Sequence, residues 1–271
     1  MATYNITNQW GGSSAPWYTG GVFVLGARDD KPQNVVAVSI RSKDGGKTLT
    51  GTVTYSGEGP IGFRATLLGN NNYDVQNQWG GAAAPWHPGG TWIIGSRDGQ
   101  NVVALDVNSS DDGQTLAGAM TYSGEGEIGI RGQFVGQNCD FRTENQWGGS
   151  EAEWHRGGIF VLGARAKQNV VSVNVKSADG GQTLTGTITY SGEGEIGFRG
   201  KLSGASTYRV ENQWGGVAAP WHPGGEWLIG YRAGKQNVVA LNASSTDNGK
   251  TLNGSMIYDG EGPIGFRARQ A

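Results

Sequence analysis

The sequence predicts an all-β protein on three features: a fourfold internal repeat, two-residue alternation of apolar and polar side chains, and glycine-rich turn signals at short intervals. Asn-Gln-Trp-Gly-Gly stands at Asn8–Gly12, Asn77–Gly81, Asn145–Gly149 and Asn212–Gly216. Its Trp positions 10, 79, 147 and 214 are 69, 68 and 67 residues apart. Gln-Asn-Val-Val begins at Gln33, Gln100, Gln168 and Gln236, and Gly-Glu-Gly at Gly57, Gly124, Gly192 and Gly260.

Each repeat reads as five short strands. In repeat 1 they fall at Tyr4–Gln9, Val22–Arg28, Asn34–Arg41, Thr48–Tyr55 and Gly62–Leu68. The fourth alternates most clearly, with Leu49, Gly51, Val53 and Tyr55 on one face and Thr48, Thr50, Thr52 and Thr54 on the other. Gly-Gly, Asp-Gly-Gly and Ser-Gly-Glu-Gly mark the turns. No segment carries a helical stripe.

The repeats alternate in type. Repeats 1 and 3 have Phe23 and Phe160 where repeats 2 and 4 have Trp92 and Trp227. Repeats 2 and 4 also share Ala-Pro-Trp-His-Pro-Gly-Gly, at Ala84–Gly90 and Ala219–Gly225, and a late Met (Met120, Met256). The structural unit is therefore expected to be a pair. A lone repeat of about 67 residues buries little and leaves sheet edges open. Two repeats closing into a barrel remove those edges. This predicts two tandem ten-stranded antiparallel β-barrels, over residues 1–136 and 137–271. A four-bladed propeller with one repeat per blade is the rival.

Composition excludes several classes. The 271 residues contain 49 Gly, with 36% hydrophobic and 16% charged. No apolar run reaches the roughly 18 residues of a membrane helix. The glycines lack collagen's three-residue period. A net charge of −2 with no basic block leaves no electrostatic footprint for nucleic acid or an anionic membrane. Cys139 is alone, so neither an intrachain disulfide nor a Cys-based metal site is expected. The N-terminus has no basic-then-apolar leader pattern, which points to a cytoplasmic protein or one exported by a non-classical route. Four Asn-x-Ser/Thr sequons (Asn5, Asn108, Asn242, Asn253) carry little weight in a chain this rich in those residues.

Three invariant features offer chemistry. A Trp followed by two glycines (Trp10, Trp79, Trp147, Trp214) is either a core residue before a turn or a platform for the C–H face of a sugar. A second Trp follows seven residues later (Trp17, Trp86, Trp154, Trp221), and one of the two is expected to pack inside. An Arg closes the second strand (Arg28, Arg97, Arg165, Arg232), and its fork of N–H donors suits paired hydroxyls as well as a surface ion pair. The Glu between glycines (Glu58, Glu125, Glu193, Glu261) is either a solvated turn residue or a hydroxyl acceptor. A further Arg in Ile-Gly-x-Arg (Arg64, Arg131, Arg199, Arg267) reads as structural, a partner for a Glu.

Enzyme chemistry is poorly supported. Glu125/Glu127 and Glu193/Glu195 resemble a glycosidase pair, but Pro60 and Pro263 take the second place in repeats 1 and 4. No Ser/His/Asp set stands at nucleophile spacing. His87, His155 and His222 each follow a Trp and read as exposed turn residues, with Tyr18 in repeat 1. Four near-identical sites gain little for catalysis but multiply avidity for a repeated, branched ligand. The expectation is a multivalent lectin, not an enzyme, with no cofactor and no metal. A Trp-loop protein-binding scaffold is the further alternative.

The chain resembles the Oscillatoria agardhii agglutinin homologue lectins, in particular their four-repeat bacterial members. Asn-Gln-Trp-Gly-Gly, Pro-Gly-Gly (Pro88–Gly90, Pro223–Gly225), Gln-Asn-Val-Val and Tyr55–Arg64 carry the likeness, which extends over essentially the whole chain. The resemblance implies one compact ten-stranded barrel per pair of repeats, with a metal-independent site at each end for the branched mannose core of high-mannose N-glycans. It implies agglutination, and glycoprotein partners that include viral envelope glycoproteins. A monomer is expected.

Carried over, the resemblance implies four carbohydrate-binding sites. Trp10 and Gly11 join Arg97, Glu125 and Gly126, while Trp79 and Gly80 join Arg28, Glu58 and Gly59. In the second barrel Trp147 and Gly148 join Arg232, Glu261 and Gly262, while Trp214 and Gly215 join Arg165, Glu193 and Gly194. Repeat 3 departs from the pattern with Glu151 and Glu153 in its loop, Glu127 and Glu195 replace Pro, and Asp259 replaces Ser, so the four affinities are expected to differ.

Overall fold

The computed structural model describes residues 2–26, 33–97, 99–136, 140–165, 168–230 and 236–270. Within them are twenty strands. The first compact unit, Met1–Val135, holds β1 (Ala2–Gln9), β2 (Trp17–Leu25), β3 (Val35–Arg41), β4 (Thr48–Tyr55), β5 (Ile61–Gly69), β6 (Asn72–Gln78), β7 (His87–Ile93), β8 (Val102–Asn108) and β9 (Thr115–Tyr122), with β10 (Glu127–Gly136) closing it. The second, Gly136–Ala271, holds β11 (Asp140–Gln146), β12 (Trp154–Val161), β13 (Val170–Lys176), β14 (Thr183–Tyr190), β15 (Glu195–Gly204), β16 (Thr207–Gln213), β17 (His222–Leu228), β18 (Val238–Ser244), β19 (Thr251–Tyr258) and β20 (Ile264–Gln270).

Each unit is a closed barrel of ten strands, so the propeller is not formed. Around the first barrel the order is β1-β10-β9-β8-β3-β4-β5-β6-β7-β2, and the second repeats it as β11-β20-β19-β18-β13-β14-β15-β16-β17-β12. The first hairpin of each repeat does not pair with its own three-stranded meander. Hairpin β1–β2 completes β8–β10 of repeat 2, and hairpin β6–β7 completes β3–β5 of repeat 1. Closure removes every exposed edge from both repeats.

This exchange fixes the ends. With neighbours antiparallel throughout, β1, β7 and β9 run the same way, so the β1–β2 loop, the chain after β7 and the β9–β10 loop share one end. The β6–β7 loop, the chain after β2 and the β4–β5 loop share the other.

The alternation expected of repeat 1's fourth strand is present: Leu49, Val53 and Tyr55 are buried, and Thr48, Thr50 and Thr52 are exposed. The core of the first barrel gathers Tyr4, Phe23, Val38, Leu49, Phe63 and Trp92, among others. Trp92 lies 5.1 Å from Phe63, and its counterpart Trp227 lies 5.1 Å from Phe198. Each such side chain contributes roughly 1.5–3 kcal/mol by burial.

The second strand differs from its sequence reading. It starts at Trp17 rather than Val22, because the chain pairs with β1 directly after the Trp-Gly-Gly loop (Gln9 opposite Trp17). A bulge at Ile6/Thr7 admits Gly20, where a Cβ would lie 2.3 Å from the Asn8 side chain. The strand also ends at Leu25, so the Arg series does not close it. Arg97 and Arg165 follow β7 and β12 in irregular chain, while Arg28 and Arg232 lie outside the described residues. Of the two Trp of each loop, the first packs against the core only in repeat 3 (half-buried Trp147), the second is half-buried, and the fully buried indoles are Trp92 and Trp227.

Candidate functional site

The Trp-Gly loop is locally fixed. Gly11 and Gly12 have φ of 87° and 93°, which side-chain-bearing residues rarely adopt. The Gln before the Trp pins the loop from within: Gln9 Nε2 donates to the Ser13 carbonyl (3.1 Å) and the Ala15 carbonyl (2.6 Å). Gln78, Gln146 and Gln213 repeat both bonds. The indoles stand outward, with Trp10, Trp79 and Trp214 exposed by 37%, 48% and 47%, and Trp147 half-buried. Exposure decides against a core role for Trp10, Trp79 and Trp214, whereas Trp147 packs against the core of the second barrel.

The Glu stands on a four-residue turn. The amide of Glu125 donates to the Tyr122 carbonyl at 3.0 Å, and Glu58, Glu193 and Glu261 do the same to Tyr55, Tyr190 and Tyr258. The third residue of that turn needs positive φ, met by glycine (75° at Gly57, 82° at Gly124). The glycine after each Glu is different. Gly59, Gly126, Gly194 and Gly262 have no positive φ, and a Cβ there would meet nothing within 4 Å. The fold does not require glycine at those four places. These glycines leave a bare, open stretch of backbone beside each Glu.

The exchanged hairpins bring Trp and Glu loops of different repeats together. Arg97 Cζ lies 4.2 Å from the Tyr122 ring and 5.4 Å from Trp10. Its Nη1 donates to Glu125 Oε1 (2.5 Å) and Gln100 Oε1 (3.1 Å), and Gln100 Nε2 donates to the same Glu125 oxygen (3.2 Å). Arg165 matches this on Tyr190 (4.1 Å) and Trp214 (6.0 Å), with Nη1 bonds to Glu193 (2.7 Å) and Gln168 (2.9 Å), closed by Gln168 to Glu193 (2.8 Å). The Arg97 hydrogen bond holds the Glu125 carboxyl below its ordinary range, and the Gln168 and Arg165 bonds do so for Glu193. Charge and orientation are thus set before any ligand arrives.

At the other two sites the loops adjoin by register. Gln78 pairs with Gly62, placing Trp79 beside the Glu58 turn, and Gln146 pairs with Gly265, placing Trp147 beside the Glu261 turn. Gln236 Nε2 donates to Glu261 Oε1 at 3.1 Å. Among the described residues no group of three or more His, Cys, Asp or Glu could hold a metal ion.

Two contributors escaped the sequence reading. The Gln of Gln-Asn-Val-Val joins Arg to Glu, a role hidden because the spacing from Arg to Gln varies among repeats (Arg28 to Gln33, Arg97 to Gln100). The residue after the second Trp is not a turn residue. It starts or follows the start of a strand, and its ring lies against the first Trp: His87 stacks on Trp79 at 4.3 Å and 15°, and His222 on Trp214 at 4.5 Å and 19°. Tyr18 and His155 meet Trp10 and Trp147 more obliquely.

The comparisons place the chain among known lectins. A family model described as OAA-family lectin sugar binding domain matches residues 2–68, 71–135, 139–203 and 206–271. The chain is 63% identical over 269 residues to the myxobacterial hemagglutinin of Myxococcus xanthus, covering 99% of both chains. The crystal structure of that hemagglutinin in complex with α3,α6-mannopentaose superposes with a TM-score of 0.94 at 62% identity, covering 98% of this chain and 99% of that one. The Burkholderia oklahomensis agglutinin superposes with a TM-score of 0.94 at 61% identity, over 98% and 94% of the two chains. These relatives are lectins and agglutinins, not enzymes. With four copies of the family's domain along its length, this chain belongs to the OAA-family lectins and is a carbohydrate-binding protein.

Proposed function

We propose that this lectin recognises the branched mannose core of high-mannose N-glycans, without metal, at four sites: Trp10/Gly11 with Arg97/Glu125/Gly126, Trp79/Gly80 with Arg28/Glu58/Gly59, Trp147/Gly148 with Arg232/Glu261/Gly262, and Trp214/Gly215 with Arg165/Glu193/Gly194. The supporting observation is the meeting of indole, guanidinium and carboxylate from two repeats at Trp10 and at Trp214. The mannopentaose bound to the similar hemagglutinin supports the sugar class.

The geometry suits a neutral, hydroxyl-rich ligand. The exposed indole covers one C–H face of a mannose ring, worth about 1–2 kcal/mol by buried area. Glu125 already takes two bonds on Oε1, and its carboxylate has a second oxygen for a hydroxyl. Backbone N–H groups beside Gly11 and Gly126 donate without side-chain ordering. Such a shallow cleft binds one sugar weakly and a branched array well. Residues 1–136 and 137–271 then act as two lectin units, and tethered sites gain roughly 10²–10⁴ in avidity on multivalent glycoproteins, viral envelope glycoproteins among them.

A glycan array on the intact monomer, run with and without a chelator, tests this. Strong signal confined to high-mannose glycans and unchanged by chelation is expected. Equal signal on complex sialylated glycans, or loss on chelation, overturns it.

A further inference from the structure

The second Trp of each loop and the Arg of Ile-Gly-x-Arg are repeated four times, yet the trio just described includes neither. They meet each other. Arg131 Cζ lies 4.1 Å from the Trp17 ring, Arg64 4.4 Å from Trp86, Arg267 4.3 Å from Trp154 and Arg199 4.4 Å from Trp221. The glycine of the same motif makes room for the indole: a Cβ on Gly129, Gly265 or Gly197 would sit 3.3 Å from the ring edge of Trp17, Trp154 or Trp221. The indoles of Trp17, Trp154 and Trp221 are therefore held between a bare stretch of strand and a guanidinium, and Trp86 carries the guanidinium contact.

What this clasp joins matters. Trp17, Trp86, Trp154 and Trp221 close the Trp-Gly loop of one repeat. Gly129, Gly62, Gly265 and Gly197 follow the Glu-Gly turn of the other repeat by three residues. We propose that the Trp–Arg clasp is a positioning device, which sets each Trp-Gly loop at a fixed distance from the Glu-Gly loop across the exchanged hairpin. The proposal rests on the reading of those two loops as the walls of one sugar site.

The copies differ in how firmly the clasp is tied. Arg199 and Arg267 also hydrogen-bond Glu211 and Glu144 on the adjacent strand, and Arg64 bonds Gln76 at 2.7 Å. Repeat 1 offers Thr7 at that place. A carboxylate locks the guanidinium over the ring, and cation–π contact alone holds it less firmly. The Trp10 loop is the least braced of the four.

Arg131→Ala in the full chain tests the device, since Arg131 is exposed and its loss leaves the core intact. Two readouts are taken: amide hydrogen exchange of Ser13–Ala15 in the free protein, and oligomannose titration followed at each Trp indole resonance. Exchange about fivefold faster, with about fivefold weaker binding at Trp10 alone and an unchanged melting temperature, is expected. Arg64→Ala moves the same effect to Trp79. Thr7→Glu supplies the missing carboxylate and slows exchange in the Trp10 loop. Unchanged exchange in Arg131→Ala, or faster exchange with undiminished affinity at Trp10, overturns the proposal. If the wild-type chain shows no titration at any Trp, the sugar reading falls instead, and the exchange data still decide whether the clasp holds the loop.

Discussion

The Trp10 and Trp214 sites share a frame and differ in their lining. In both, an Arg rests on a Tyr ring, a Gln closes the bond from Arg to Glu, and a Gln behind the loop pins two carbonyls. Around that frame the residues diverge. Tyr18 meets Trp10 at 51° and 5.5 Å, while His222 lies nearly flat on Trp214. Ser13 lines one loop, and fully exposed Val217 the other. The features held constant are those that fix where donors and acceptors point. Those that vary touch only the rim. Orientation of the polar groups is thus what the two copies share, and the rim is where they differ.

The comparison breaks most sharply at the guanidinium. Arg97→Ala should weaken the Trp10 site by roughly tenfold to a hundredfold, the worth of a charge-assisted hydrogen bond, and leave the Trp214 site untouched. Site-resolved titration of the indole resonances measures this. Equal loss at both sites would show that the two do not act separately.

The barrels themselves differ at two carboxyls, Asp140, buried where the first barrel has Thr3, and Glu226. Glu226 stands in the second barrel where Thr91 stands in the first, and burial raises its pKa to about 7 against a smaller opposing pull from Arg209. Because the folded value exceeds the ordinary 4.5, the group's favourable contribution is complete below pH 4.5 and is lost as pH rises through 7. Glu226→Gln should be more stable than wild type by about 2–3 kcal/mol above pH 7, and near parity below the ordinary carboxylate range. Denaturant melts across pH would show it, and a pH-independent difference would refute it.

A smaller effect sharpens the site comparison. Gly126→Ala adds a methyl where the fold has open space, so stability should hold while affinity at Trp10 falls about tenfold through lost close approach. Gly12→Ala should do the reverse, destabilising by about 1 kcal/mol through its positive φ. Smallest is a missing hydroxyl. Tyr4, Tyr73 and Tyr208 donate to the carbonyls of Gly113, Gly46 and Gly181, and repeat 3 has Phe141 instead. Phe141→Tyr should stabilise the second barrel by about 1 kcal/mol in thermal melts.

The sequence by itself determined the repeat count, the all-β class, the turn glycines and the residue types available for binding. These follow from alternation and turn chemistry, which act between near neighbours. From it Arg64, Arg131, Arg199 and Arg267 also read as partners for a Glu; Arg199 and Arg267 do pair with Glu211 and Glu144, whereas Arg64 bonds Gln76 and repeat 1 offers Arg131 only Thr7. Spacing alone left barrel and propeller open, and the cross-repeat grouping of site residues came from family resemblance. Only the tertiary structure decided that hairpin β1–β2 completes the other repeat's meander, which indoles are buried, and that Gln100 and Gln168 link Arg to Glu. The reason is physical. Four nearly identical repeats offer the same edges to every partner, so no local signal chooses among them. The choice is made when the sheet closes and its last open edge is paired.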